Sequence, residues 1–263
     1  MKKNNAALAA LSSIILLNSI GCTKVENRHQ TEVSASKPED QKIFNYLVAE
    51  YKFNSKSIEE TPDDFIVEGD MVFAKKDFWK NYKLPETSSN SKHYRSYYKV
   101  SPYPRVIDVS IDPGLPAVWR TAYANAITKW NSVGGKITFK NCLCSAPDAI
   151  RVTYAYYQPT DKAAYTRVPT ADGNPGNESK VNLQYQNLGS LTANQKLALA
   201  VHELGHAIGL MHTDNAASGY LITTGTSSCN TNTNSSSIMR EVFSGSWTNF
   251  STCDKAAFKA LYP

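Results

Sequence analysis

Apolar residues along this chain fall into patterns with different periods, and each period predicts a different element. Trp119, Ala122, Tyr123, Ala126, Ile127, Trp130 and Val133 recur at spacings of three and four, which puts them on one buried stripe of a helix. Pro116 opens that helix, and Gly134 with Gly135 stops it. Residues 105–111 alternate apolar and polar positions, the period of a half-buried strand. Residues 136–139, 149–156 and 180–186 read as further strands. Thr192 followed by Gln195 forms a capping box, and the helix it starts runs through Leu197, Ala200 and Val201. Upstream, residues 43–51 are patterned with apolar positions. Phe65-Ile66-Val67 and Met71-Val72-Phe73 flank Glu68-Gly69-Asp70, which is a hairpin signal. The order β-α-β-β-β-α, followed by a long polar region, predicts an α+β or α/β domain with a mixed, twisted sheet.

The two ends of the pattern set the organisation. Lys2 and Lys3 precede an apolar run from Ala6 to about Leu17, too short to span a bilayer and typical of a secretory signal at residues 1–21. Gly21-Cys22 resembles the cut site of a bacterial lipobox, with Cys22 receiving the lipid; an ordinary cleaved signal is the alternative. Residues 22–42 are polar and read as a flexible, lipidated tether. Residues 43–93 form a small N-terminal region, ending in a linker candidate at 86–95, and 94–263 form the main domain. Thr23 after the cysteine favours the outer membrane or cell surface for an exported lipoprotein. The net charge of +5 falls to +3 once Lys2 and Lys3 leave with the signal. No long run of one sign occurs, so nucleic acid is not an expected partner, and a monomer is expected. Cys142, Cys144, Cys229 and Cys253 remain, enough for two disulfides in three connectivities. Cys142 and Cys144 are close in sequence, so each is expected to pair with a distant partner.

Chemistry concentrates in VHELGHAIGLMHTD, residues 201–214, which holds three of the chain's 5 histidines. His202 and His206, four apart on a helix, share a face and can point at one ion. Glu203 lies one step round, placed as a general base. Gly209 ends the helix and the chain turns back to bring in His212. Three neutral imidazoles leave one tetrahedral position of a single catalytic Zn²⁺ open to water. His29 and His93 lie in polar stretches without such company.

The extended pattern H-E-x-x-H-x-x-G-x-x-H resembles that of the metzincin superfamily. The stretch HELGHAIGLMHTD is closely similar to the core of the bacterial dual-action HEIGH metallopeptidase family, with Leu204 in place of Ile. Ser236-Ser237-Ile238-Met239, the C-terminal FSTCDKAA with Leu-Tyr-Pro at the end, VEGDM at 67–71 and the stretch 105–133 share the resemblance. It implies a metzincin-like zinc-peptidase domain with an active-site helix and a Met-turn at Met239, acting on protein or peptide substrates. It also implies that the strand before the active-site helix, at 180–186, is the edge that binds an extended peptide. Several metzincin families place a Tyr two residues after the methionine; here that residue is Glu241. Val67-Glu68-Gly69-Asp70-Met71 resembles the astacin propeptide segment whose aspartate occupies the zinc, making Asp70 a candidate latency ligand; a plain hairpin turn is the other reading. Two further functions fit the motif less well: a catalytically silent lipoprotein binding peptide or glycan, and a zinc hydrolase that does not cleave peptides.

Overall fold

The computed structural model describes residues 37–79, 93–156, 161–214, 220–224, 229, 236–241 and 247–263. The signal, Cys22 and most of the tether therefore lie outside the described residues, as does most of the 86–95 linker candidate.

Helix α2 (Ala117–Val133) buries the seven residues that the periodicity singles out, from Trp119 to Val133, and stops at Gly134. It connects β5 (Arg105–Ile111) to the parallel neighbour β6 (Ile137–Cys142). β7 (Ile150–Ala155) lies on the other side of β5, and β9 (Glu178–Asn182) lies beyond β7; both pairings are parallel. β8 (Ala164–Arg167) then runs antiparallel to β9. The N-terminal region adds three more strands. β1 (Ile58–Glu60) and β2 (Asp64–Val67) pair antiparallel, β2 and β3 (Met71–Ala74) form the expected hairpin, and β3 joins β8 in parallel. The result is one eight-stranded mixed sheet, ordered β1-β2-β3-β8-β9-β7-β5-β6. A small sheet of β4 (Tyr94–Arg95) between β10 (Leu210–Met211) and β11 (Tyr220–Leu221) lies apart from it.

α2 and α3 (Ala193–Ala207) contribute to the main apolar core with the inner face of the sheet and α4 (Thr252–Leu261). Trp130 is central: its ring centroid is 4.5 Å from that of Phe250 and 5.3 Å from that of Phe258, and its indole N–H donates to Val201 O at 2.9 Å. A second core gathers Ile43 and Leu47 of α1 (Pro38–Ala49), Phe65, Val67, Met71 and Phe73 of the hairpin, and Tyr94, Val168, Met211 and Tyr220. The N-terminal region thus shares both a sheet and a core with the strands after it. Lys75 Nζ donates to Asp40 and Glu60 at 3.0 and 2.8 Å, and the Arg95 guanidinium lies over the Tyr220 ring.

Three expectations are corrected. Residues 180–186 are not an edge strand: β9 is flanked by β7 and β8, and it ends where the Asn182 side chain accepts from the Gln184 N–H at 2.9 Å, a local turn that competes with the ladder. The edge belongs to β8, and β3 covers it. Cys142 bonds Cys144, and Cys229 bonds Cys253, each with Cα atoms 5.3 Å apart. A bend at Leu143 brings the C-x-C pair within disulfide reach, shorter than the roughly 6.6–7.2 Å span of two residues in an extended chain. His93, expected in a polar linker, is 2% exposed, with Nε2 3.5 Å from Asp254 Oδ1.

Leu47 is fully buried at the centre of the N-terminal core. Leu47→Ala is expected to cost about 2–5 kcal/mol, read as a lower urea midpoint of the full chain at unchanged slope.

Candidate metal centre

The capping box drawn from the sequence starts α3: Gln195 N donates to Thr192 Oγ1 at 3.2 Å, and Thr192 N donates to Gln195 Oε1 at 2.8 Å. The helix ends as Gly209 adopts φ +95°, a conformation that costs glycine little. The chain reverses into β10 and delivers His212. His202, Glu203, His206 and His212 are all essentially inaccessible to solvent.

Each histidine is oriented through its Nδ1. That of His202 lies 2.7 Å from Ile238 O, that of His206 2.7 Å from Leu210 O, and that of His212 2.8 Å from Glu68 Oε2. A carbonyl or carboxylate oxygen accepts, so Nδ1 carries a proton, and in the neutral ring each Nε2 presents a bare lone pair. These nitrogens converge: His206 Nε2 is 2.9 Å and His212 Nε2 3.3 Å from His202 Nε2. Asp70 Oδ2 completes the group, 3.1 Å from His212, 3.5 Å from His202 and 4.0 Å from His206 at Nε2. Asp70 Oδ1 is buried and without a hydrogen-bond partner among the described residues. Lone pairs this close repel one another unless a cation lies between them. Bonds of about 2.0–2.1 Å to a tetrahedral Zn²⁺ would set nitrogens about 3.3 Å apart, so three imidazoles and one carboxylate fit that ion.

The electrostatics differ between His206 and His212. Burial and the neighbouring His202 push His206 well below its ordinary pKa, towards the neutral form that ligates. Burial would also lower His212, but the carboxylates of Asp70 and Glu68 outweigh it and hold the pKa well up. Burial and the charge of Asp70 raise Glu203 well above the usual carboxylate range, and a hydrogen bond from Thr166 opposes them.

The support beneath these residues comes from distant segments. Thr166 Oγ1 lies 2.6 Å from Glu203 Oε2 and 2.8 Å from Ser179 Oγ, and Ser179 Oγ lies 2.8 Å from the Tyr123 hydroxyl, all of it buried. Asp254 at the start of α4 receives the Ser237 hydroxyl at 2.5 Å and the Ile238 N–H at 3.3 Å, so this buried carboxylate fixes the turn whose carbonyl orients His202. Met239 follows in that turn; its carbonyl accepts from Thr213 N–H at 2.7 Å, and its Sδ lies against Gly205 of α3. Glu241 lines a cavity of about 310 Å³ with Glu68, Asp70, Tyr185, Leu199 and Glu203.

The structure therefore brings together His202, His206, His212, Glu203, Asp70 and Met239. Cys22 lies outside the described residues. Glu68, Thr166, Ser179 and Asp254 were not assigned roles from the sequence. Asp254 did stand in a quoted motif, and Glu68 sits two residues before Asp70, but neither position carries a local signal of its partner.

A family model described as a dual-action HEIGH metallo-peptidase matches residues 65–262. Comparison with curated protein sequences gives no match. Among solved structures, one of myroilysin is 21% identical, covering 64% of this chain and 98% of that one at a TM-score of 0.45. A second myroilysin structure is 20% identical, covering 67% and 93% at 0.43. High choriolytic enzyme 1, a hatching enzyme zinc-protease from Oryzias latipes (Medaka fish), is 17% identical, covering 63% and 94% at 0.39.

A Cβ at Gly205 would sit 2.5 Å from Met239 Sδ and 3.3 Å from Trp130 Cζ2. Gly205→Ala would gain about 1 kcal/mol of helix propensity, yet it is expected to lower the melting temperature, because overpacking costs about 1–3 kcal/mol. Calorimetry of the metal-free chain checks the sign.

Proposed function

The chain belongs to the dual-action HEIGH metallopeptidase family, and from that premise we propose that it is a zinc-dependent endopeptidase held latent by its own N-terminal hairpin. The observation that carries the reading is the convergence of three Nε2 lone pairs beside a carboxylate, Glu203, that is not needed to close the ligand set.

Zn²⁺, when bound, supplies Lewis acidity: it polarises the scissile carbonyl and lowers the pKa of water. The remaining work falls to the chain. Glu203 Oε2 is held by Thr166, while Oε1 has no hydrogen-bond partner among the described residues and is the atom placed to take a proton. As water oxygen attacks the carbonyl carbon, Glu203 accepts its proton and delivers it to the amine nitrogen when the C–N bond breaks. Strand β8 offers its outer edge to an extended peptide by strand addition, which gives main-chain affinity with little demand on sequence.

In the full-length chain that edge is taken. Thr166 N–H donates to Asp70 O at 2.6 Å, and Val168 N–H donates to Val72 O at 3.1 Å. The same turn holds the Asp70 carboxylate 3.5 and 3.1 Å from Nε2 of His202 and His212, which supports its reading as the latency ligand. Export with a lipid on Cys22, and residence at the outer membrane or cell surface, belong to the same proposal. They are supported by Lys2-Lys3, the apolar run and Gly21-Cys22. Among the described residues no helix is long and apolar enough to cross a membrane.

Glu203→Gln is expected to keep one zinc per chain and to lower the turnover of a general protein substrate by about 10²–10⁴-fold; an undiminished rate removes the assignment. Asp70→Ala in the full-length chain is expected to raise basal activity about tenfold or more, equivalent to about 1.4 kcal/mol of released inhibition. A chelator should abolish that activity, and activity equal to wild type in Asp70→Ala rejects the latency.

A further inference from the structure

Two of the three histidines are oriented by main-chain carbonyls, those of Ile238 and Leu210. The third is not. His212 is gripped from both sides by the two acidic residues of one turn: Nδ1 stands 2.8 Å from Glu68 Oε2, and Nε2 stands 3.1 Å from Asp70 Oδ2. Asp70 occupies a place on the ion's side of the ring; Glu68 touches only the far side.

The placement of Glu68 is costly in every respect that the structure reports. It is 3% exposed although it carries a carboxyl group, and its φ of +53° lies in the left-handed region that non-glycine residues avoid. A turn needing only that backbone conformation would take Asn or Gly and leave the side chain in solvent. Here the backbone is fixed at both ends, by Glu68 N–H to Ser57 O at 2.8 Å and by Lys162 Nζ to Glu68 O at 3.4 Å. The carboxylate is thereby aimed inward at one imidazole. A carboxylate accepting from a ligand histidine fixes the ring's tautomer and orientation and makes its other nitrogen a stronger donor.

We propose that Glu68 is a positioning residue for His212, and that through it the N-terminal hairpin is a metal-loading element as well as a block. The inference rests on the reading of His202, His206 and His212 as metal ligands. In the full-length chain the hairpin builds the third ligand with Glu68 and closes the coordination shell with Asp70, so the ion is captured in the latent form. Displacing the hairpin frees the coordination position and removes the partner of His212 in the same movement.

The test is zinc affinity of the full-length protein, measured by competition with a chromogenic chelator for the wild type, Glu68→Gln, Glu68→Ala and His206→Ala, with melting of each metal-free protein as the control. Glu68→Ala is expected to bind zinc about 10–100-fold more weakly than the wild type. Glu68→Gln, which keeps the shape and an acceptor but not the charge, is expected to lose a smaller part, with metal-free melting near that of the wild type. Zinc affinities of both variants within twofold of the wild type overturn the proposal, including where only the metal-free melting temperature falls, which assigns Glu68 to the turn alone. Should Glu68→Ala not fold, Glu68→Gln decides by the same criterion. Absence of zinc binding in the wild type itself, or equal binding in His206→Ala, instead overturns the underlying assignment of the histidines.

Discussion

Three imidazole nitrogens converge, those of His206 and His212 standing 2.9 and 3.3 Å from that of His202, on rings closed to solvent. Without a cation this arrangement is repulsive, and the fold must hold it until one arrives. It does so by giving every Nδ1 a fixed acceptor, which decides the tautomer and turns each ring edge-on to the common point. The three acceptors come from the turn at Ile238, the strand just after α3, and the β2–β3 hairpin. The long-range architecture can be read as the means of bringing those three oxygens to one place.

The mechanical support is layered accordingly. α3 carries two of the histidines and is pressed from behind by Trp130 and from the side by Met239, contacts that leave room only for glycine at position 205. The Met239 turn is in turn clasped by Asp254, whose second task is the capping box of α4 with Ser251. One carboxylate therefore starts the last helix and steadies the carbonyl that orients His202. A local capping interaction and the support of a distant imidazole share the same carboxylate.

What was legible in the sequence was what depends on neighbours along the chain. The α2 stripe, the Thr192–Gln195 box, the Gly209 turn and the spacing of His202, Glu203 and His206 follow from helix geometry, and the 65–73 hairpin follows from its turn. The pairings that were misread or missed depend on which distant backbone arrives. β8 is four residues long and has no clean alternation to announce it, so the edge was taken from the family resemblance and given to the strand before α3, which is β9. Cys142–Cys144 depended on a bend at one residue. His93 looked like a linker residue because its burial is supplied by Asp254, far along the chain. Glu68 and Thr166 are single polar residues whose partners lie 144 and 37 positions away, and no periodicity encodes that.

The buried hydroxyls behind Glu203 have a consequence of their own. Thr166, Ser179 and Tyr123 own one hydrogen each, and Tyr123 has no second partner among the described residues. When Glu203 is an anion, the only assignment that satisfies every oxygen has Tyr123 giving to Ser179, Ser179 to Thr166 and Thr166 to the carboxylate. A proton placed on Glu203 Oε2 would turn all three around and leave the phenol hydrogen pointing at nothing in a dry interior, a loss of about 1–3 kcal/mol. The helix α2, the two strands and α3 are thus wired in a single polarity, which disfavours a proton on Oε2 and leaves Oε1 as the oxygen of Glu203 that can take one.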